Sequence, residues 1–375
     1  MALTDPYVPD VATRLLDGVE HLHRVIAYRP AFGPELGHDL ALTTATVTID
    51  EDTAPRFMFN GAIGLGDQEL LDFLDPRTGT RLEVWTGYRY ADRTVDLHRL
   101  CDLGLRERVV RRPQADVTLL AGSDEFLVQD YTLDAPATFA AGTAVGTVLA
   151  FLLGLGHTQS VTILSPAAGQ SIGTEPLVVQ PAGVWSTVQD LTDRIGAVAY
   201  HDGLTGFYVV DQPDRAGAAA HDLRTGPRGS LTATEVALDL QEFANHVLVE
   251  FVWRDAAGVE RAARGWAEDR DGPHGTVTTG TRRGRVVTHN HAGSEAAAQQ
   301  AASALLVRTL SRGRRIHLEG AVAAYWLRPE QTVTATFPLG GQERALVARV
   351  VFDLPAGTMS VHTRQPETVT IHTGA

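Results

Sequence analysis

Asn245-His246-Val247-Leu248-Val249-Glu250-Phe251-Val252-Trp253 is the stretch that sets the fold class. Val247, Val249, Phe251 and Trp253 fall on alternate positions, the period-2 pattern of a strand with one buried face. Ala256-Ala257-Gly258 then turns the chain and predicts a partner strand over 259–267. Further along, Ser294 is a good N-cap for a helix running to Leu310, with Gly313 beyond its end. The small face of that helix, Ala298, Ala301 and Ala302 with Leu305, suits close packing on a sheet. Strands are expected again over 315–319, 332–337, 345–353 and 359–363.

The N-terminal part has the same texture. Residues 45–49 alternate threonine with apolar residues, and 57–65 reads as the next strand, with Asn60-Gly61 as an alternative turn. Asp67 would cap a short helix over 68–74. Pro76 and Gly79 make a turn, and strands follow over 82–90, 94–105, 117–120 and 126–131. Ahead of them Leu15, Leu16, Val19, Leu22, Val25 and Ile26 fall at helical spacing, so 10–27 reads as one helix ended by Pro30 and Pro34. The two β-rich blocks share a pattern: Leu74-Asp75-Pro76 and Leu327-Arg328-Pro329 each lead into a strand, a tight turn and a second strand.

The middle differs. An apolar helix is expected over 143–153, short strands over 161–164 and 176–179, and a strand over 207–211 after the turn His201-Asp202-Gly203. Val188, Leu191 and Ile195 line one side of an amphipathic helix over 185–195. The Gly-, Ala-, Arg- and Asp-rich stretch 213–230 is the best candidate boundary. The chain therefore divides into a helical arm 1–40, a β domain 41–135, an inserted α+β domain 136–230, a β domain with the alanine-rich helix 231–365, and a tail 366–375. The fold class is α+β, mainly β.

Of the 375 residues 44% are hydrophobic and 21% charged, an ordinary globular balance that argues against disorder. The net charge is -13 and lysine is absent, so every basic residue is arginine. An acidic chain without a basic block is unsuited to gripping nucleic acid, but it would let DNA slide past. Cys101 stands alone, which excludes an internal disulfide and a thiolate zinc site and leaves a core-filling role. The N-terminus shows no secretory signal, and the longest apolar stretch, 144–155, falls short of a membrane span.

No catalytic, cofactor or metal residues are assigned. Gly169-Gln170-Ser171-Ile172-Gly173 fits the nucleophile-elbow pattern, but Pro166 and Pro176 flank it and no helix leaves it. His289 and His291 would share one face of a strand, yet no third ligand is suggested. His21 and His23 fall on the expected first helix and read as solvated. Asp269, Asp271 and Gly272 resemble a fragment of a calcium loop without its closing glutamate. Trp185 and Trp253 sit in apolar patterns. Trp85 with Tyr88 and Tyr90 is the one candidate for an exposed aromatic patch.

Several phrases resemble those of siphophage minor tail proteins, the tail-tip or baseplate-hub family. They are Ala45-Thr46-Val47-Thr48-Ile49-Asp50 with Ala54-Pro55, Asp75-Pro76-Arg77-Thr78-Gly79, Trp185 with the helix to Ile195, Asn245-His246-Val247-Leu248-Val249, Ala267-Glu268-Asp269 and Gly357-Thr358-Met359. The resemblance covers about residues 40–365 and is a succession of short phrases. That family is similar to the hub of contractile-tailed phages and injection machines. The resemblance implies two tube-like β-barrel domains with the α+β unit inserted between them. It implies a structural virion protein at the tail tip, made in the host cytoplasm, and not an enzyme. It further implies a homotrimer whose six barrels join the tail tube to a spike or fibre around the DNA channel. The implied partners are distal tail or tube proteins, the tape-measure protein and the spike or fibre. The alternative reading is a receptor- or cell-wall-glycan-binding tail module, and a tail-associated peptidase or peptidoglycan hydrolase ranks behind it.

Overall fold

The computed structural model describes residues 6–8, 10–64, 66, 68–113, 116–156, 160–211, 216–225, 230–238, 240–255, 257–337, 341–365 and 371–374. The expected cap Asp67, the turn residue Ala256 and part of the tail 366–375 lie outside them.

Alternation builds the main sheet. In Leu42–Asp50 the apolar Ala45, Val47 and Ile49 are buried, while the residues between them face outward. The first half contains Leu42–Asp50, Phe57–Gly64, Asp116–Gly122, Val95–Arg111 and Arg81–Arg89, hydrogen-bonded in that order, with Glu20–Tyr28 added outside the last. The second half repeats the order with Ala233–Leu238, Arg314–Val322, Thr358–Arg364, Gln342–Asp353 and Thr332–Thr336, and Ala219–Arg224 is added outside the last.

The correspondence extends to irregularities. Val95–Arg111 bulges between Leu105 and Glu107, and Gln342–Asp353 bulges between Val347 and Arg349. Just before each bulge the strand bonds to the residue ahead of its neighbour: Leu105 N–H donates to Thr80 O at 2.9 Å and Val347 N–H to Gln331 O at 2.8 Å. The phrases Leu74-Asp75-Pro76 and Leu327-Arg328-Pro329 occupy the same place, at the entry to Arg81–Arg89 and Thr332–Thr336. The shared phrase therefore marks an internal duplication in hydrogen-bond order.

The halves join where Leu42–Asp50 pairs antiparallel with the end of Gln342–Asp353, Val47 opposite Phe352 and Ile49 opposite Val350. The result is one 13-stranded sheet over a shared core that includes Phe59, Leu82, Leu119, Tyr325, Leu318 and Phe352. The mainly β, α+β class holds. The tube-like domains are halves of this sheet, and among the described residues neither closes as a barrel within the chain: Leu42–Asp50 does not pair with Glu20–Tyr28 or His38–Asp39, nor Ala233–Leu238 with Ala219–Arg224.

Two units are inserted. Between the halves lie the helices Val145–Leu153 and Val184–Ile195 against the small sheet Ala197–His201, Gly206–Asp211 and Ser160–Ile163, with their own core. Inside the second half, between Ala233–Leu238 and Arg314–Val322, the chain makes three strands of a separate four-stranded sheet, and Ile371–Gly374 from beyond the second half adds the fourth. The order is Gly284–His289, His246–Arg254, Glu260–Asp269 and Ile371–Gly374, and the helix Glu295–Leu310 packs on it. The alternating strand His246–Arg254 thus belongs to this unit and not to the tube-like sheet. Ser294 Oγ accepts from Ala297 N–H at 3.1 Å, the expected cap.

Three expectations fail locally. Residues 10–27 are not one helix: Val11–Arg14 is followed by a short 3-10 turn, Gly18 at φ 86°, and the strand Glu20–Tyr28. Val25, Ile26 and Ala27 are all buried, and such a run carries no period that separates strand from helix. The helical arm is therefore largely an edge of the main sheet. Residues 126–131 are not a strand: 126–129 belong to the helix Glu125–Gln129 and the last two follow it. Its Glu125 Oε1 accepts from the N–H groups of Arg56 at 3.2 Å and His201 at 2.9 Å, long-range partners that local pattern does not reveal. The expected linker 213–230 contains the sheet strand Ala219–Arg224.

That strand carries His221, buried against Trp326 with neither ring nitrogen hydrogen-bonded. Burial lowers its pKa from 6.5 to about 4. As the pH falls, the unfolded chain takes up the proton near 6.5 while the native chain stays neutral to about 4. Stability is full above that window and is lost through it, by up to about 1.4 kcal/mol per pH unit for one such group. His221→Phe is expected to flatten this slope, measured as urea midpoints at about pH 7 and about pH 4.5.

Candidate functional site

The sequence-level candidates for chemistry separate on inspection. Ser171 is exposed, and its Oγ bonds only within its own turn, accepting from Gly173 N–H at 3.0 Å. Among the described residues no histidine or carboxylate is hydrogen-bonded to it. Asp269 accepts from Gly272 N–H at 3.0 Å within its own turn. Tyr88 and Tyr90 are buried in a cluster with Tyr7, Tyr325 and Trp326, while Trp85 is half-buried and its Nε1–H donates to Glu83 Oε2 at 2.9 Å, so the three do not form one patch. His21 lies on a strand with its ring against Tyr88 and Tyr325 and is not solvated. Trp185 and Trp253 pack against their local cores. Cys101 is fully buried and its thiol pKa is pushed far up by burial. No described helix is long and apolar enough to cross a membrane.

His289 and His291 gain the third partner that the sequence does not suggest. It is Asp190, on the helix Val184–Ile195 of the other inserted unit. One ligand atom from each of the three residues lies within 4.8 Å of the others. Asp190 Oδ1 stands 2.9 Å from His289 Nδ1. His291 Nδ1 donates to the Ala292 carbonyl at 3.1 Å, and its Nε2 is buried without a partner. Burial lowers the His291 pKa to about 4, which keeps the imidazole neutral. An unmatched buried polar atom costs about 1–3 kcal/mol. No sequence signal could have found this cluster, because Asp190 is brought in by the packing of two units far apart in the chain.

The sheet edges form the second feature. Leu42–Asp50 is paired on both sides, and its Val47 and Ile49 are 0% exposed. Its counterpart in the second half, Ala233–Leu238, is paired only with Arg314–Val322, and Val236 and Leu238 are 47% and 79% exposed. Likewise 349–353 is paired on both sides, by Thr358–Arg364 and Leu42–Asp50, whereas its counterpart 107–111 pairs only with Asp116–Gly122. Each half thus offers one of the two edges that meet inside the chain, left open. Long open edges invite pairing with another chain.

No protein-family model matches the sequence, and no curated protein matches it. Solved structures do. The tail protein from Neisseria meningitidis superposes with a TM-score of 0.63 at 14% identity, over 92% of this chain and 96% of that one. The 43 kDa tail protein of prophage MuSo2 from Shewanella oneidensis does so with 0.61 at 11%, over 92% and 99%. The chain has the fold of phage tail proteins. The same tail-protein fold matches a chain of the Francisella PdpA–VgrG complex, with a TM-score of 0.54 at 10% identity over 98% of this chain and 56% of that one.

Proposed function

We propose that the chain is a structural hub of a phage tail tip, assembled as a ring of three copies. The carrying observation is the pair of open edges. Inside the chain the first strand of one half meets the long strand of the other. The same contact repeated between copies would seat Ala233–Leu238 against 107–111 of its neighbour. Transferring the internal register places Val236 opposite Val110, Leu238 opposite Arg108, and Glu235 opposite Arg111. Val236 with Val110 matches apolar with apolar and Glu235 with Arg111 matches acid with base, while Leu238 meets the aliphatic stem of Arg108. A head-to-tail contact that closes makes a ring. Three copies contribute six halves, a quasi-six-fold face for a tail tube, while the inserted units repeat three-fold for a spike or fibre. The partners are then distal tail or tube proteins, the tape-measure protein and the spike or fibre. The net charge of -13 suits a channel that DNA traverses without binding.

A cysteine pair tests this. Directly opposite residues have Cα atoms about 4.5–5.5 Å apart, inside the disulfide range. V110C combined with V236C is expected to give a covalent trimer in oxidised tails, and buried Cys101 does not interfere. Assembled tails without that cross-link would contradict the ring. The receptor-binding alternative loses two of the three residues of its motivating patch, since Tyr88 and Tyr90 are core and Trp85 is half-buried. For the hydrolase alternative, Ser171→Ala is expected to leave plaque counts unchanged; a loss with folded protein still in the particles would move the reading to catalysis.

A further inference from the structure

We propose that Asp190, His289 and His291 form a binding site for a first-row transition-metal dication of the zinc class, which pins the α+β insertion to the four-stranded sheet. Two imidazoles and one carboxylate are the donor set for such an ion, whereas magnesium and calcium take oxygen ligands. Ligand atoms about 2.0–2.1 Å from a common zinc ion in tetrahedral geometry stand roughly 3.3 Å apart. Asp190 Oδ1 and His289 Nδ1 are 2.9 Å apart and the whole set lies within 4.8 Å, so the ion would part the first two and draw the third in.

The second observation is His291. It is only 8% exposed, and its Nε2 has no partner. Its Nδ1–H is held by the Ala292 carbonyl, the arrangement that fixes the tautomer of a metal-bound histidine and leaves the other nitrogen to bind. An ordinary Asp190–His289 hydrogen bond would account for two of the three residues and leave this nitrogen unexplained. Charge is compatible. Asp193, one turn along the same helix, is close enough to influence His289 and faces the same region. Three cations oppose it: Arg285 and Arg308 act on Asp193, with Arg308 paired to Asp52, and the Arg194 guanidinium is committed to the carbonyls of Ser171, Ile172 and Ala292 and lies over the Phe251 ring. The Asp190 side chain is 37% exposed, which gives the ion a way in and leaves room for water in the open coordination position.

The test uses the full chain, stripped with a chelator and titrated with Co²⁺ as a visible reporter, then with Zn²⁺. One equivalent of Co²⁺ is expected to give a visible absorption band that Zn²⁺ removes, and Zn²⁺ but not Mg²⁺ is expected to raise the thermal midpoint. Asp190→Asn, at a half-exposed position, is expected to keep the metal-free midpoint and weaken Co²⁺ binding about 10–100-fold. His291→Gln is expected to do the same to binding. No Co²⁺ band in the wild-type chain, or unchanged binding in both variants, would overturn the site.

Discussion

Arg364→Leu is expected to destabilise the chain by about 3–5 kcal/mol, the range for removing one partner of a buried ion pair. Arg364 Nε lies 2.8 Å from Glu51 Oε1, with side chains 3% and 1% exposed. The pair sits at the joint between the two halves, where Glu51 N–H donates to Ala348 O at 3.0 Å. Burial holds the Glu51 carboxyl above its ordinary pKa even with the guanidinium beside it. Desolvation therefore outweighs attraction at Glu51. Without the guanidinium the buried carboxyl is raised further, so the variant takes up its proton at a higher pH than the wild type and its deficit shrinks as the pH falls. Replacing both residues with leucine should recover most of the loss. Urea midpoints of the wild type, the single and the double variant check this; a double variant no better than the single would show that the unpaired Glu51 carboxylate is not what destabilises the single variant.

Gly265→Val is expected to cost about 3 kcal/mol, the upper part of the range for overpacking. Gly265 lies opposite Val249 in the four-stranded sheet, beneath the alanine-rich helix. A Cβ there would stand 2.3 Å from the backbone N of Gln299 and 2.5 Å from the carbonyl carbon of Ala298. Backbone cannot swing aside as a side chain can, so the helix must lift from the sheet and uncover Ala298, Ala301 and Ala302. The loss should appear in the thermal midpoint and as early hydrogen exchange confined to Glu295–Leu310. Exchange unchanged in that helix would show that the contact is not the one that holds it.

The elements legible in the sequence were those whose period matches their burial. Val247, Val249 and Phe251 alternate and are buried on one face, and Ser294 caps the helix it was expected to cap. The stretch 10–27 misled because Val25 to Ala27 are buried without a gap. Duplication was visible as a repeated Leu-X-Pro lead-in, but its hydrogen-bond order was not, since pairing partners such as Val47 and Phe352 lie some 300 residues apart. The open edge was hidden for the same reason: Val236 and Leu238 read like Val47 and Ile49, and only the missing neighbour distinguishes them. The Asp190, His289 and His291 cluster joins two inserted units, so spacing along the chain carried two of its three residues and no more.

Imaging the tail tips of purified particles shows how many copies sit there and where. Three copies in a closed ring on the tail axis are expected, with Ala233–Leu238 of each paired to 107–111 of the next. Six copies in the ring, or copies set off the axis, would contradict the ring of three.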